Sequence, residues 1–486
     1  MADHKLKWMI PTIKPYSVQT AFMDRCSDEI FVQKKRGFGN FKEPGLGKTA
    51  DAYNVFLNLN ALPATHLWHV DKLIVVMPNF GKGNWGSEIN DEDKMNMHDP
   101  SVLSPFEPLD TDRIWEVNYE YARAGGFEKI SNYMLKNKCM FVVDESHNAK
   151  NYKGLQSTKL VQLAKLAVWS MPMTGTPYGE SALELWPQVR IARQINGVNP
   201  ITFRNTHCVM GGFRGKQITG LKNPEEFTRL LNTWGFVASA DDWLDLPERV
   251  YQIANSMMLP KQQKLYDEMF RDRFLPMTEE RNIVTAEMII TMLIKLQQIT
   301  SGFIIDNDRL TSMLMPVDQN PRILTVKEIC ANRPGKKIIF TASKFATAAI
   351  AEYLPNSIFV KGGMKPDEIK DAKDRFNSNG GPVHFVAPEQ MAKEQITLLG
   401  GKDERWACST TIYFENLYSL IARRQSEDRN RRIGQRFRVH YYDIAMSRFD
   451  RDQYKAIQGK KDVVRAVVKT DRDYAEYLDP RASDSG

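Results

Sequence analysis

The sequence predicts an α/β protein built from two parallel-sheet lobes with a mainly helical insertion between them. Three observations carry this prediction: short apolar runs that do not alternate, helical patterns between those runs, and a break in the rhythm from about 181 to 320. Parallel strands are covered on both faces, so they read as continuous β-branched runs. LIVVM (73–77) and MFVV (140–143) have this form in the first half. KIIF (337–340), SIFV (357–360), VHFV (383–386), TTIYF (410–414) and VHYYDI (439–444) have it in the second. Helical patterns at Lys48–Leu59 and Leu155–Leu166, then at Phe345–Leu354 and Asp367–Phe376, complete a strand–helix alternation that builds parallel sheets. In the middle, Leu259–Phe274 and Thr285–Ile299 carry apolar residues at i, i+3 and i+4, the spacing of amphipathic helices. Gly211–Gly220 is glycine-rich and basic and reads as a loop. The predicted division is a first lobe over 1–180, an insertion and linker over 181–320, a second lobe over 321–475 and a frayed tail over 476–486.

Composition narrows the function classes. The 486 residues correspond to roughly three units at about 150 residues each. Lys plus Arg is 66 and Asp plus Glu is 59, so the net charge of +7 is compatible with a nucleic-acid partner without arguing for one. Hydrophobic content of 42% and charged content of 26% exclude a largely disordered chain. The five cysteines contain no CxxC pair, which excludes a zinc ribbon and a dense disulfide framework and suits a reducing compartment. The apolar runs are far shorter than the ~18 residues of a membrane span, and MADHKLKWMI lacks the apolar core of a signal peptide. The chain is therefore expected to be cytoplasmic and to need no membrane.

Residues 43–49, EPGLGKT, stand directly before a helical pattern. Gly45 and Gly47 allow positive φ and close backbone approach, and N–H groups at a helix start point at phosphate oxygens. Lys48 then reaches the β- and γ-phosphates of a nucleotide and the Thr49 hydroxyl ligates Mg²⁺. Lys42 stands where the GxxxxGKT consensus has its first glycine. The bland alternative is an ordinary glycine turn.

FVVDESHNAKN (141–151) is an apolar strand that ends in two carboxylates. Asp144 sits where a Mg²⁺-coordinating carboxylate belongs, and Glu145 where a residue can orient and deprotonate an attacking water. Solvated acids at a strand end are the alternative, but Lys48 and Asp144 lie 96 positions apart, which leaves room for intervening strands. His147 follows, and TGTP (174–177) places Thr174 and Thr176 at a further strand end, where hydroxyls can sense the nucleotide site.

QSEDRNRRIGQ (425–435) is the most informative stretch of the second half. Gln425, Arg429 and Arg432 fall at i, i+4 and i+7, which predicts one shared helix face. A guanidinium held there can stabilise transition-state charge at a nucleotide site. The alternative is a basic helix facing water or nucleic acid, which the neighbouring arginines keep open.

EPGLGKT, DESH, TGTP and QSEDRNRRIGQ, in this order, resemble the helicase motifs of superfamily two, and the GLGKT and QxxxRxxRxGQ forms are similar to the Swi/Snf family of double-strand DNA translocases. KPYSVQ (14–19) resembles the adenine-side motif, with Gln19 as its glutamine. LIVVMPNFGKGNWGSEI (73–89) and VNYEY (117–121) resemble the first-lobe DNA-contact segments. ELW (184–186), LPKQQKLYDEM (259–269), LIKLQQITSGF (293–303) and FDRDQYKAI (449–457) follow in family order, so the resemblance runs from about 10 to about 470. FRNTHC (203–208) with GLKNPEEFTRLL (220–231) is similar to the annealing-helicase branch. The resemblance implies two RecA-like lobes with ATP and Mg²⁺ in the cleft between them. Gln19, Gly45, Gly47, Lys48 and Thr49 would bind nucleotide, Thr49 and Asp144 the magnesium. Glu145 would activate water, with Arg429, Arg432 and Gln425 completing catalysis. His147, Thr174 and Thr176 would carry coupling, and Asn79, Asn84, Trp85, Asn118 and Tyr119 would contact nucleic acid. It also implies a monomer acting on double-stranded DNA, of the compact bacterial or bacteriophage type, in the host cytoplasm.

The family's Gly-Gly-Leu-Gly-Leu-Asn-Leu stretch is replaced by LLGGKDERWACS (398–409), in which only Gly400 and Gly401 match it, and Asn118–Tyr119 replaces a threonine. Two other readings stay open: a strand-separating or annealing helicase that remodels forks, and an ATP-switched DNA clamp with little turnover.

Overall fold

The computed structural model describes residues 5–78, 84–90, 95, 97, 102–103, 112–179, 181–211, 217–271, 286–305, 311–394 and 396–459. The chain divides into two compact units, Met1–Asp245 and Leu246–Gly486.

The first unit is organised by a parallel sheet in the order β3 (Val102–Leu103), β4 (Ile114–Asn118), β2 (Lys72–Met77), β5 (Cys139–Asp144), β6 (Trp169–Met173), β1 (Gly39–Lys42), β9 (Gly235–Ala238). The continuous apolar runs are explained by burial on both sides. Along β2, Leu73, Val75 and Met77 pack into a core with Phe22, Phe56 and Trp169, while Ile74 and Val76 pack into another with Trp115, Phe141 and Leu163. The helix Lys48–Asn60 contributes to the first layer and Leu155–Leu166 to the second.

The second unit repeats the plan. Its parallel sheet runs β10 (Arg249–Asn255), β17 (Val439–Ala445), β16 (Cys408–Tyr413), β13 (Lys336–Thr341), β15 (His384–Pro388), β14 (Ser357–Phe359). Ile338, Phe340 and Tyr441 face one apolar layer; Ile339, Ile412 and Ile444 face the other, with the helices Pro321–Asn332 and Lys344–Tyr353. Both units are thus parallel sheets covered on two faces, as the sequence predicts.

The stretch 181–320 is not one helical insertion. The boundary at Asp245/Leu246 cuts it in two. β9 extends the first sheet beside β1, and β10 pairs along its whole length with β17 in the second. An antiparallel hairpin, β7 (Cys208–Gly211) and β8 (Gln217–Leu221), takes up both ends of the segment Gly211–Gly220 expected to be a loop, residues 212–216 of which lie outside the described residues, and β11 (Phe303–Ile305) pairs with β12 (Thr311–Met313). β9 and β10 escaped the sequence because they are short or polar strands at the sheet edges and are only partly buried. The two predicted helices are present as Pro260–Met269 and Ala286–Ser301. The predicted frayed tail lies outside the described residues. Among the described residues no helix is long and apolar enough to cross a membrane, and all five cysteines are free and buried.

Candidate active site

Parallel register brings the two sequence motifs of the first unit to one edge. Asn40 on β1 lies opposite Met173 on β6, and Met173 lies opposite Asp144 on β5. Strands are spaced by about 4.8 Å, so β1 and β5 are about 10 Å apart at this level. Their carboxyl ends deliver the glycine loop and the acidic pair side by side.

The loop after β1 takes positive φ at Gly45 (83°) and Gly47 (72°). Gly47 is also crowded: a Cβ there would lie 2.5 Å from Gln19 Nε2. Gln19 is buried, donates from Nε2 to Gly47 O (3.4 Å) and accepts at Oε1 from Tyr16 N (3.1 Å), so this glutamine is built against the loop. Gly47 is the N-cap of the helix Lys48–Asn60, and no side chain caps that helix start, which leaves its first-turn N–H groups suited to an anion. Lys48 Nζ donates to Lys42 O (3.0 Å) and Glu43 O (3.3 Å), so the ammonium is held inside the loop.

At the end of β5 the Asp144 carboxylate accepts from Glu145 N at Oδ1 (2.9 Å) and from Trp85 Nε1 at Oδ2 (3.2 Å). Burial, and then the Glu145 charge beside it, push its pKa up to about 7; the Trp85 bond and the Lys48 charge oppose this. Glu145 adopts a left-handed backbone (φ 48°, ψ 50°), a conformation that costs a non-glycine residue energy and turns its side chain away from the strand direction. Tyr119 Oη holds that turn by donating to Asp144 O (2.6 Å) and lying 3.1 Å from Glu145 O.

A polar chain leads away from the acidic pair. His147 Nδ1 lies 3.3 Å from Glu145 Oε2 and 2.9 Å from Thr174 Oγ1, and Thr176 N donates to Thr174 Oγ1 (3.1 Å). The same turn touches the loop, since a Cβ on Gly175 would lie 2.6 Å from Pro44 Cδ. The structure therefore brings together Gln19, Gly45, Gly47, Lys48, Asp144, Glu145, His147, Thr174 and Thr176, and Thr49 follows Lys48 on the helix.

The expected nucleic-acid contacts fare differently. Trp85 and Tyr119 are 2% and 4% exposed and bond to the acidic turn, so neither ring offers a face to a base. That expectation is corrected: both are supports of Asp144 and Glu145, which their aromatic character did not reveal. Asn118 caps the helix Tyr119–Arg123, accepting from Tyr121 N (2.7 Å). Asn84 begins the helix Asn84–Asn90, and Asn79 lies outside the described residues.

In the second unit, the helix carrying Gln425 ends at Glu427. Arg429 and Arg432 lie in the turns beyond it, so the shared helix face predicted from i, i+4, i+7 is not present. Tertiary anchors override the spacing: Asn430 Nδ2 donates to Thr411 Oγ1 (3.0 Å), Arg431 Nε donates to Pro247 O (2.7 Å), and Gly434 turns the chain at φ 98°. Arg429 is buried, with Nε bonded to Gln425 O (2.7 Å) and Nη1 to Ile396 O (3.4 Å). Arg432 is half-buried and donates from Nη1 to Thr397 Oγ1 (2.7 Å). Gln425 Oε1 is buried with no hydrogen-bond partner among the described residues. Gly400 and Gly401 stand at the base of the loop 401–406: Gly400 has φ 73° and bridges Ala407, and Gly401 N donates to Trp406 O (2.7 Å).

Sequence reasoning missed Lys42 and Asp51, a fully buried ion pair under the glycine loop. The available signal was the lysine in the consensus glycine position.

No family model and no curated protein matches the chain. Among solved structures it is similar to the Sulfolobus solfataricus SWI2/SNF2 ATPase core in complex with dsDNA, at 18% identity over 97% of both chains with a TM-score of 0.41. It is also similar to the Sulfolobus solfataricus SWI2/SNF2 ATPase core domain, at 17% identity over 96% of this chain and 94% of that one with a TM-score of 0.39.

Proposed function

We propose that this chain is a DNA-dependent ATPase of the Swi/Snf kind, a motor that hydrolyses ATP and moves along double-stranded DNA. The observation that carries the ATPase reading is the single row Asn40–Met173–Asp144, which brings the glycine loop, the buried Asp144 and the half-buried Glu145 to one sheet edge. An Asp144 carboxyl pushed up to about 7 by burial fits a position that a divalent cation neutralises. In this reading Thr49 and Asp144 hold Mg²⁺, which supplies charge neutralisation at the phosphates. Lys48 leaves the loop carbonyls for phosphate oxygens, and Gln19 closes the loop on its adenine side. Glu145 accepts a proton from the attacking water, whose oxygen forms a bond to the γ-phosphorus as the bond to the β,γ-bridging oxygen breaks. His147, Thr174 and Thr176 relay the state of Glu145 to the Thr174–Pro177 turn. The motif resemblance gives Arg432, Arg429 and Gln425 the roles that complete catalysis, with arginine charge stabilising the transition state.

The partner is read from the motif resemblance. Duplex tracking through phosphates needs no stacking platform, and Trp85 and Tyr119 beside the motifs are buried. The test is ATP turnover at fixed salt with a blunt duplex, an oligonucleotide, a forked substrate, RNA or no nucleic acid. Strongest stimulation by the duplex is expected. Stronger stimulation by the oligonucleotide favours a strand-separating helicase, and a fork preference favours an annealing enzyme. Binding to DNA with negligible turnover on every substrate favours the clamp.

A further inference from the structure

Lys42 is the last residue of β1 and is completely buried, as is Asp51 in the first turns of the following helix. Its ammonium is fully engaged: it pairs with Asp51 Oδ2, donates to Leu46 O (2.8 Å) and lies 5.3 Å from the centre of the Phe22 ring. Asn40 Nδ2 donates to the same Asp51 oxygen (3.0 Å). One buried group thus ties the strand before the loop, the tip of the loop and the helix after it.

The bond to Leu46 O has a directional consequence. In a planar trans peptide the C=O and the N–H point opposite ways. The carbonyl of Leu46 is drawn inward to Lys42, so the N–H of Gly47, in the same peptide, is turned away from the core. Leu46 stands between two residues of positive φ, Gly45 and Gly47, glycines that would otherwise let this peptide rotate freely. We infer that Lys42 and Asp51 are positioning residues of the phosphate loop, fixing the Leu46–Gly47 peptide so that the Gly47 N–H faces a nucleotide phosphate. Lys42 itself touches no substrate. The inference rests on the nucleotide reading above.

The test separates positioning from folding. Lys42→Met alone leaves Asp51 buried without its partner, and its unfolding midpoint is expected to drop. The double variant Lys42→Met/Asp51→Leu replaces the pair by apolar side chains, which is often neutral for stability. It is expected to unfold close to the parent yet bind ATP at least ~10-fold more weakly, the scale of one lost charge-assisted contact. KM for ATP should rise with kcat changed far less. A folded double variant with the parent's ATP affinity overturns the inference. So does a single variant no less stable than the double, because the two charges would then not be a pair. A parent chain that binds no ATP at all defeats the nucleotide reading instead.

Discussion

Each unit ends a parallel strand in a turn that opens a helix, and the two turns are filled in opposite ways. In the first unit, the turn after Lys42 is long and glycine-rich, and no side chain caps the helix start at Lys48. In the second, the turn after Thr341 is short. Ser343 caps the helix Lys344–Tyr353 through its side chain, and the buried Glu415 carboxylate accepts from Ala342 N (2.8 Å) and Ser343 N (3.1 Å). One turn is left for an anion from outside; the other already holds an anion of the chain's own. The same contrast holds for cations. Lys48 rests on two loop carbonyls, whereas Arg423 in the second unit is locked into Asp443, Glu427 and Asn416 with Tyr413 beneath it. The architecture is shared, and the difference lies in which polar groups remain to be satisfied. Under the proposed function this contrast places nucleotide binding in the first unit, whose helix start at Lys48 has no side-chain cap.

The largest expected effect tests the chemistry of the first unit. Glu145→Gln keeps the shape of the left-handed turn and removes the base, so turnover should fall ~10²–10⁴-fold with ATP binding retained. Turnover within a few-fold of the parent would show that Glu145 is not the base. Arg432→Ala should lower DNA-stimulated turnover by ~10³-fold if it stabilises transition-state charge, with little change in ATP affinity. Full recovery at high DNA concentration would instead make Arg432 a phosphate contact and confine the second unit to DNA.

The sheets were legible because buried parallel strands carry their own signature, and LIVVM, MFVV and TTIYF are where the sequence places them. β9 and β10 were illegible because an edge strand needs no apolar run. The nucleotide motifs were legible because loop chemistry demands particular residues at fixed spacing. Their supports were not. Nothing in the spacing of Trp85 or Tyr119 shows that either side chain will bond to the turn at Asp144; the motif resemblance makes them nucleic-acid contacts, and packing against a neighbouring helix is the alternative. Arg429 and Arg432 show the converse error, in which a helical spacing is present but Asn430 and Arg431 are held by partners far along the chain.

Trp85→Phe sharpens this point at smaller amplitude. The ring stays buried while the N–H on Asp144 Oδ2 is lost. Removal of a support behind a metal ligand typically costs about 10–100-fold in metal affinity, so the Mg²⁺ concentration for half-maximal turnover should rise by that order. An unchanged Mg²⁺ requirement would make Trp85 a packing residue only.

The smallest kinetic effect is expected where the second unit fills its own turn. Glu415→Ala leaves the half-buried N–H groups of Ala342 and Ser343 without their buried acceptor. Leaving buried donors unsatisfied costs about 1–3 kcal/mol, and each kcal/mol lowers the melting midpoint of a unit this size by about 2–4 °C. Calorimetry should therefore show the transition of the second unit moving down, while KM for ATP stays within two-fold or so and Mg²⁺ dependence is untouched. The reason is that the Glu415 carboxylate itself occupies the N–H groups of that turn. If Glu415→Ala instead weakens ATP binding in a chain that remains folded, then the second turn takes part in nucleotide chemistry. The division of labour drawn from the two junctions would then be wrong.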